Sequence, residues 1–125
     1  MILQAINEEC EPNKIERPSL QDVMAAVQRL DGKTRTLVTL EVSDDHHLAV
    51  GGGGGRYIVY MTLDNLQFKN LIIPGKSGPK VMLTCGGQEG GFAPKQCVDL
   101  ELASRAAATF ARTGQPDPEL AWEDG

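Results

Sequence analysis

Five consecutive glycines, Gly51–Gly55, separate two strand-like runs and constrain the fold more than any other segment. The run Leu48–Val50 precedes them, and Arg56–Tyr60 follows. Glycine reaches positive φ angles and allows close backbone approach, but it loses the most conformational entropy when it is ordered. A block of five among 14 glycines therefore indicates that the turn, or a segment meeting it, requires bare backbone. A second cluster, Gly86–Gly91, follows another predicted strand.

The bulk composition is that of one globular domain. A chain of 125 residues forms one core, so residues 1–125 are expected to be a single domain. No apolar run approaches the ~20 residues that a membrane span needs, and the N-terminus lacks the pattern of a signal peptide. Three cysteines (Cys10, Cys85 and Cys97) are an odd number without metal-like spacing, which favours reduced thiols. We therefore expect a cytoplasmic protein.

The formal net charge of −5 restricts the partners that the chain can bind. An acidic surface repels phosphates, which argues against nucleic acid as a ligand, because Lys and Arg contacts to phosphates supply much of that affinity. The same surface steers a basic protein partner toward the chain.

Hydrophobic periodicity predicts two helices. Ser19 is a predicted N-cap with Asp22 three residues later, and a helical stripe of apolar residues follows over residues 20–30. A second helix is predicted to begin after Asp99 and to end at Gly114. Trp122 is expected to fold back onto the body of the domain.

The segments between these helices predict strands. Residues 2–6 read as a short strand and residues 7–18 as a loop, and the later strands are predicted at residues 36–42, 48–50, 56–62, 68–73 and 81–84. Both faces of Arg56–Thr62 are apolar, which is typical of a central strand. The predicted fold is α+β: an antiparallel sheet of about five or six strands with two α-helices packed on one face.

No pattern in the sequence predicts a catalytic, cofactor or metal site. Gly51–Gly55 lead into a strand, whereas phosphate-binding glycine loops lead into a helix. The Gly-Lys-Ser triplet within Pro74–Ser77 lacks both the upstream glycine of a P-loop and a following helix. The adjacent residues of Asp44–His47 point in diverging directions, whereas zinc ligands converge. A small ligand-binding or catalytic protein that uses the glycine-rich loops with His46, His47 or Cys85 is the alternative function from another class.

An ordered series of short words carries a family resemblance. The words are Thr39–Val42, Leu48–Gly53, Arg56–Tyr60, Gly86–Gly90 with Pro94, Val98–Leu100, Ala103, Ala106-Ala107, Phe110 and Trp122-Glu123. This series resembles the first-numbered immunity-protein family of bacterial polymorphic toxin and contact-dependent inhibition systems. The resemblance covers about residues 36–123.

The resemblance implies a non-catalytic cytoplasmic protein that binds the C-terminal domain of one cognate secreted toxin and occludes its active site. Partners associated with the family include nucleic-acid-targeting deaminases of the cytidine-deaminase-like fold. A basic toxin cleft would complement the acidic charge of this chain. The residues predicted to contact the toxin lie in two turns and a glycine run: Asp44, Asp45, His46, His47, Gly53, Gly54, Gln88 and Glu89. The glycine-rich segment around Gln88 can equally be scaffold, and an orphan immunity protein without a surviving toxin is a further alternative.

Overall fold

The computed structural model describes residues 3–8 and 13–125. Within these residues the helices are α1 (Leu20–Gln28) and α2 (Leu100–Thr113), and a short 3₁₀ turn spans Pro94–Gln96. The strands are β1 (Ala5–Glu8), β2 (Asn13–Glu16), β3 (Leu37–Ser43), β4 (His46–Gly53), β5 (Arg56–Thr62), β6 (Phe68–Ile72), β7 (Val81–Cys85), β8 (Gln88–Phe92) and β9 (Ala121–Asp124).

The strands form one large antiparallel sheet and one small one. The large sheet has seven strands in the order β2-β1-β3-β4-β5-β6-β9, and β7 pairs with β8 in a separate hairpin. The predicted α+β class is confirmed, and β5 is an interior strand as its two apolar faces indicated. The large sheet has more than the expected five or six strands because it includes β2 and β9, which the sequence did not predict. Both are short edge strands with several polar residues, a composition that is common at sheet edges.

Both helices contact the sheet and each other, so they lie on the same face. Helix α1 begins with a reciprocal capping box: Asp22 N donates to Ser19 Oγ at 3.1 Å, and Ser19 N donates to Asp22 Oδ2 at 2.8 Å. Helix α2 ends at Gly114, whose φ of 70° is the left-handed cap predicted from the sequence. The core between helices and sheet is mostly aliphatic, with Phe110 as its largest fully buried side chain.

The glycine run is explained by the segment that follows α1. Gly53 forms an isolated antiparallel bridge with Asp31. A Cβ atom on Gly53 would lie 2.6 Å from backbone atoms of Asp31 and would also strike the backbone N of Gly32, and the φ of Gly53 is +138°. The connection between α1 and β3 therefore crosses β4 at a distance that only glycine permits.

The other glycines of the run receive the β7–β8 hairpin and turn the chain. A Cβ atom on Gly51 would lie 2.8 Å from Cys85 Sγ, so the hairpin rests directly on the backbone of β4. Gly54 and Gly55 have φ angles of 67° and 100°, and a two-residue turn between β4 and β5 requires such positive values. Within the glycine run, Gly51 and Gly53 therefore allow close packing, and Gly54 and Gly55 form the turn.

Two sequence predictions are corrected by the fold. Residues 7–18 are not a loop throughout, since residues 7–8 belong to β1 and residues 13–16 form β2; residues 9–12 and residues 1–2 lie outside the described residues. The second glycine cluster does not simply follow a strand, because it contains β8. The sequence did not predict β8 because its glycines give no hydrophobic pattern. Gly86 and Gly87 form the turn with φ angles of 62° and 79°, and β8 is ordered by its backbone pairing with β7.

Trp122 folds back as predicted, but as part of a strand. Strand β9 pairs with β6 and closes one edge of the large sheet. The indole Nε1 of Trp122 donates to the carbonyl oxygen of Asp117 at 3.0 Å. Arg105 of α2 donates from Nε to Asp117 Oδ2 at 3.0 Å and also pairs with Glu119, which ties the tail to the helix.

We expect Gly53→Ala to destabilise the fold much more than Gly55→Ala. Both residues have positive φ, but a Cβ atom on Gly55 meets no atom within 4 Å. Backbone strain alone is expected to cost about 1–3 kcal/mol at either position, and the clash at Gly53 adds about 1–3 kcal/mol. Urea unfolding of both variants measures the difference. Equal losses of unfolding free energy would show that Asp31 and Gly32 do not press on Gly53.

Candidate functional site

The sheet face opposite the helices carries polar and aromatic side chains in register. Side chains alternate between the two faces along a strand. Buried residues of β3 such as Val38 and Leu40 face the helices, and the residues between them lie on this second face. Strand pairing aligns one row of Thr39, Ala49, Tyr60 and Asn70, and a second row of Glu41, His47, Thr62 and Phe68. We call this surface the open face.

Small residues on β4 form a groove on the open face. Ala49 and Gly51 carry little or no side chain, whereas Thr39 and Glu41 on β3 and Tyr60 on β5 rise on either side. The concavity has a volume of about 270 Å³. Its lining residues are Asn7, Leu37, Thr39, Glu41, Ser43, Asp44, His47 and Tyr60. We call this concavity the open-face groove.

An apolar cavity continues the open-face groove toward the β7–β8 hairpin. This cavity has a volume of about 250 Å³ and shares Leu37 and Tyr60 with the groove. Ile58 and Phe92 contribute apolar surface, and Cys85 closes the end nearest Gly51. The open face therefore changes from acidic at the β3–β4 turn to apolar beneath the hairpin.

Three rings pack together beside the acidic end. The rings of His47 and Phe68 meet edge to face with centroids 6.4 Å apart. The rings of Tyr60 and Phe68 are tilted with centroids 6.3 Å apart. Mutual packing restricts these side chains, so the wall of the open-face groove has a defined shape before any partner binds.

The structure separates the residues predicted to contact a toxin into two groups. Asp44 and Asp45 form the β3–β4 turn, where β4 starts, whereas Gly53 and Gly54 stand where β4 ends. Eight residues of extended chain place these ends about 20–25 Å apart. Gln88 and Glu89 belong to the second group, because the preceding Gly87 N donates to Thr36 Oγ1 at 2.9 Å, next to Gly52.

The two adjacent histidines lie on opposite faces. His46 Nε2 lies 2.6 Å from the carbonyl oxygen of Gly114, and because a carbonyl only accepts, the ring donates from Nε2. The same ring meets Phe110 edge to face at 5.4 Å, which makes His46 part of the helix-side packing. His47 lines the open-face groove. Because side chains alternate along β4, His47 lies on the surface that Asp44 also lines, and His46 lies on the opposite side.

Sequence reasoning missed the residues that shape the groove. Thr39 and Glu41 alternate with buried Val38 and Leu40, and this alternation could have identified them as the second face of β3. Tyr60 was assigned to a face of β5 but not to a site. Asn7 fell within a predicted loop, because the strand predicted at residues 2–6 ended before the last two residues of β1.

The glycine-rich loops and the cysteines give no support to a ligand-binding or catalytic site. The backbone of Gly51 and Gly53 is occupied by packing within the chain. Cys85 and Cys97 are free thiols, as predicted, while Cys10 lies outside the described residues. Burial raises the pKa of the Cys85 thiol to about 11, and burial also raises the pKa of Cys97. A raised pKa lowers the thiolate population that nucleophilic catalysis needs.

Over residues 3–8 and 13–125, no three His, Cys, Asp or Glu side chains are grouped so as to hold a metal ion. In the same residues, neither helix combines the length and the apolar character that crossing a bilayer requires.

The fold and the open face define the class of protein: an α+β domain with helices on one side of a sheet and a grooved, partly acidic surface on the other. The family model described as Immunity protein Imm1 matches residues 11–124, so the chain belongs to this immunity-protein family. The family supports a role as an immunity protein and implies a cognate toxin as partner. Immunity proteins of this kind are generally non-catalytic. No curated protein matches the sequence.

We expect alkylation of Cys85 in the folded protein to require alkaline pH. Its ordinary pKa of 9.0 is raised to about 11, so the folded state favours the neutral thiol; this contribution to stability is present below pH 9 and is lost as the pH rises through about 11. Iodoacetamide labelling from pH 7 to 11, read by peptide mass spectrometry, measures the reactivity of Cys85. The urea-unfolded chain is the control. Half-maximal labelling of the folded chain near neutral pH would contradict the raised pKa and revive a nucleophilic role.

Proposed function

We propose that residues 1–125 act as one cytoplasmic, non-catalytic immunity domain that binds the C-terminal domain of a cognate secreted toxin and occludes its active site. Family membership over residues 11–124 is the observation that carries this proposal. The sequence resemblance supports a nucleic-acid-targeting deaminase of the cytidine-deaminase-like fold as the toxin. The proposal needs no cofactor, metal or nucleic acid on the side of the immunity protein.

The electrostatics of the chain support an inhibitor of an enzyme that acts on nucleic acid. Such an enzyme needs a basic cleft to hold its polyanionic substrate. A protein with a net charge of −5 can use the same basic cleft, and opposite charges raise the association rate up to roughly 10⁸–10⁹ M⁻¹s⁻¹ at low salt. Occlusion requires only a surface that competes with substrate, which agrees with the packing of His46, His47 and Cys85 within the domain.

Of the predicted contact residues, we favour the first group. Asp44, Asp45 and His47 stand at the acidic end of the open face. Gly53 is packed against Asp31, and Gly54 belongs to a tight turn at the other end of β4. A single interface of about 1,200–2,000 Å² can include both groups only if it runs along the whole strand. The role of these residues in toxin binding stays a prediction.

The direct test is calorimetric titration against the toxin domain encoded immediately upstream of this chain. We expect 1:1 binding with nanomolar or tighter affinity, because immunity must hold at low toxin concentration. The toxin should also lose its activity on single-stranded DNA or RNA, measured by mass spectrometry as conversion of an amino group to a carbonyl. A heat-denatured sample of the chain is the control for the titration.

The possible outcomes separate the parts of the proposal. Tight binding with full inhibition supports immunity by occlusion. Tight binding with activity retained would contradict occlusion, and a toxin that cleaves nucleic acid without deaminating it would contradict the deaminase assignment. Absence of binding would contradict the proposed function itself.

A further inference from the structure

The open-face groove holds two carboxylates that form no ion pair with any described residue. Among the described residues, the acidic side chains that form ion pairs are Glu8, Asp117, Glu119, Glu123 and Asp124. Glu41 and Asp44, which line the groove, form no ion pair within the described part of the chain. Their charges are available to a partner.

The surroundings of Glu41 suit a cationic side chain. Glu41 is half-buried and pairs in register with His47 on β4, and Tyr60 presents its ring on the opposite wall of the groove. A Lys or Arg side chain can bind a carboxylate with a charge-assisted hydrogen bond while its charge or its stem contacts an aromatic ring. Lys14 and Arg17 border Glu41 and Asp44 from the β2 side without pairing with them.

An exposed leucine stands at the same end of the sheet. Thr62, the last residue of β5, pairs with His47, so the loop of residues 63–67 emerges beside the acidic end of the groove. Leu66 in this loop is 84% exposed, the highest value among the large apolar side chains of the described residues. Solvent exposure of one leucine is ordinary, but this leucine lies in the loop at the acidic end of the open face.

Hydrogen bonds order the backbone of the loop that carries Leu66. The Asp64 carboxylate accepts hydrogen bonds from Leu66 N at 2.9 Å and from Gln67 N at 3.0 Å. Thr62 Oγ1 donates to the carbonyl oxygen of Gln67 at 2.7 Å and accepts from Asn65 N at 2.9 Å. A loop that is ordered before binding loses less conformational entropy when its apolar side chain becomes buried against a partner.

We propose that the open-face groove and Leu66 together form the docking surface for the toxin, with a Lys or Arg side chain of the toxin seated between Glu41, Asp44 and Tyr60. This inference rests on the proposed function and adds the surface and the chemistry of the contact. The apolar cavity beneath the hairpin continues the same surface and receives the apolar part of the bound segment. The helices α1 and α2 face away from the toxin.

The test compares charge reversal in the groove with the same reversal on the helix side. Glu41→Lys places a cation against the proposed toxin cation, and we expect the dissociation constant for the upstream toxin domain to rise about 30-fold or more. Glu101→Lys in the first turn of α2 is the matched control, since it changes the net charge equally at an exposed position on the helix side. We expect this control to stay within about 3-fold of the unmodified chain.

A second variant tests the apolar part without altering charge. Leu66→Ser is expected to raise the dissociation constant about 10-fold by removing an apolar side chain that becomes buried in the complex. The folding of Leu66→Ser is not at risk, because the side chain makes little contact with the body. Thermal unfolding of each variant shows whether a loss of affinity accompanies a loss of structure.

The outcomes distinguish the surface from the function. Tight binding by the unmodified chain, with Glu41→Lys and Leu66→Ser both as tight as Glu101→Lys, would overturn the docking surface and leave the immunity function intact. No binding by the unmodified chain would overturn the function and, with it, the surface. Loss of affinity confined to Glu41→Lys and Leu66→Ser supports both.

Discussion

The backbone contact between Gly53 and the Asp31-Gly32 segment sets the arrangement of the whole domain. It joins the end of α1 to the end of β4 without intervening side chains, and it places α1 over the sheet. The carboxylate of Asp31 supports this contact by accepting hydrogen bonds from three backbone N–H groups, those of Lys33, Thr34 and Arg35. These bonds favour the charged carboxylate and hold the pKa of Asp31 well below its usual range. The Asp31 side chain therefore orders the loop after α1, and Gly53 allows this loop to pack against β4.

Placing both helices on one face leaves the other face free for binding. The aliphatic core forms between α1, α2 and the helix-side residues of β3–β6, such as Leu40, Leu48 and Met61. The β7–β8 hairpin covers only the part of the open face nearest Gly51, so the rest of this face stays exposed. In the proposed function, the helix side supplies stability and the grooved side supplies the contacts to the toxin.

The elements that the sequence predicted well are those with local signals. The capping box at Ser19, the left-handed cap at Gly114 and the two apolar faces of Arg56–Thr62 each lie within a few residues of the element that they define. Strands β2 and β9 were missed, since their four polar or mixed residues gain order only from pairing with β1 and β6.

The candidate site was harder to predict because its contacts are distant in sequence. The glycine run was expected to serve either its own turn or a segment meeting it, but nothing local identified Asp31 or Cys85 as its neighbours. The divergence of His46 and His47 followed from strand geometry, whereas their assignment to the helix side and the open face required the position of Gly114. Glu41 carries no motif, and only the placement of the described cations shows that none of them forms an ion pair with it.

A crystal structure of this chain bound to the toxin domain encoded upstream tests the central claim most directly. We expect a Lys or Arg side chain of the toxin within hydrogen-bonding distance of Glu41 or Asp44, Leu66 buried in the interface, and α1 and α2 exposed to solvent on the far side. A toxin seated on the helices, with the open-face groove exposed to solvent, would contradict the proposed docking surface.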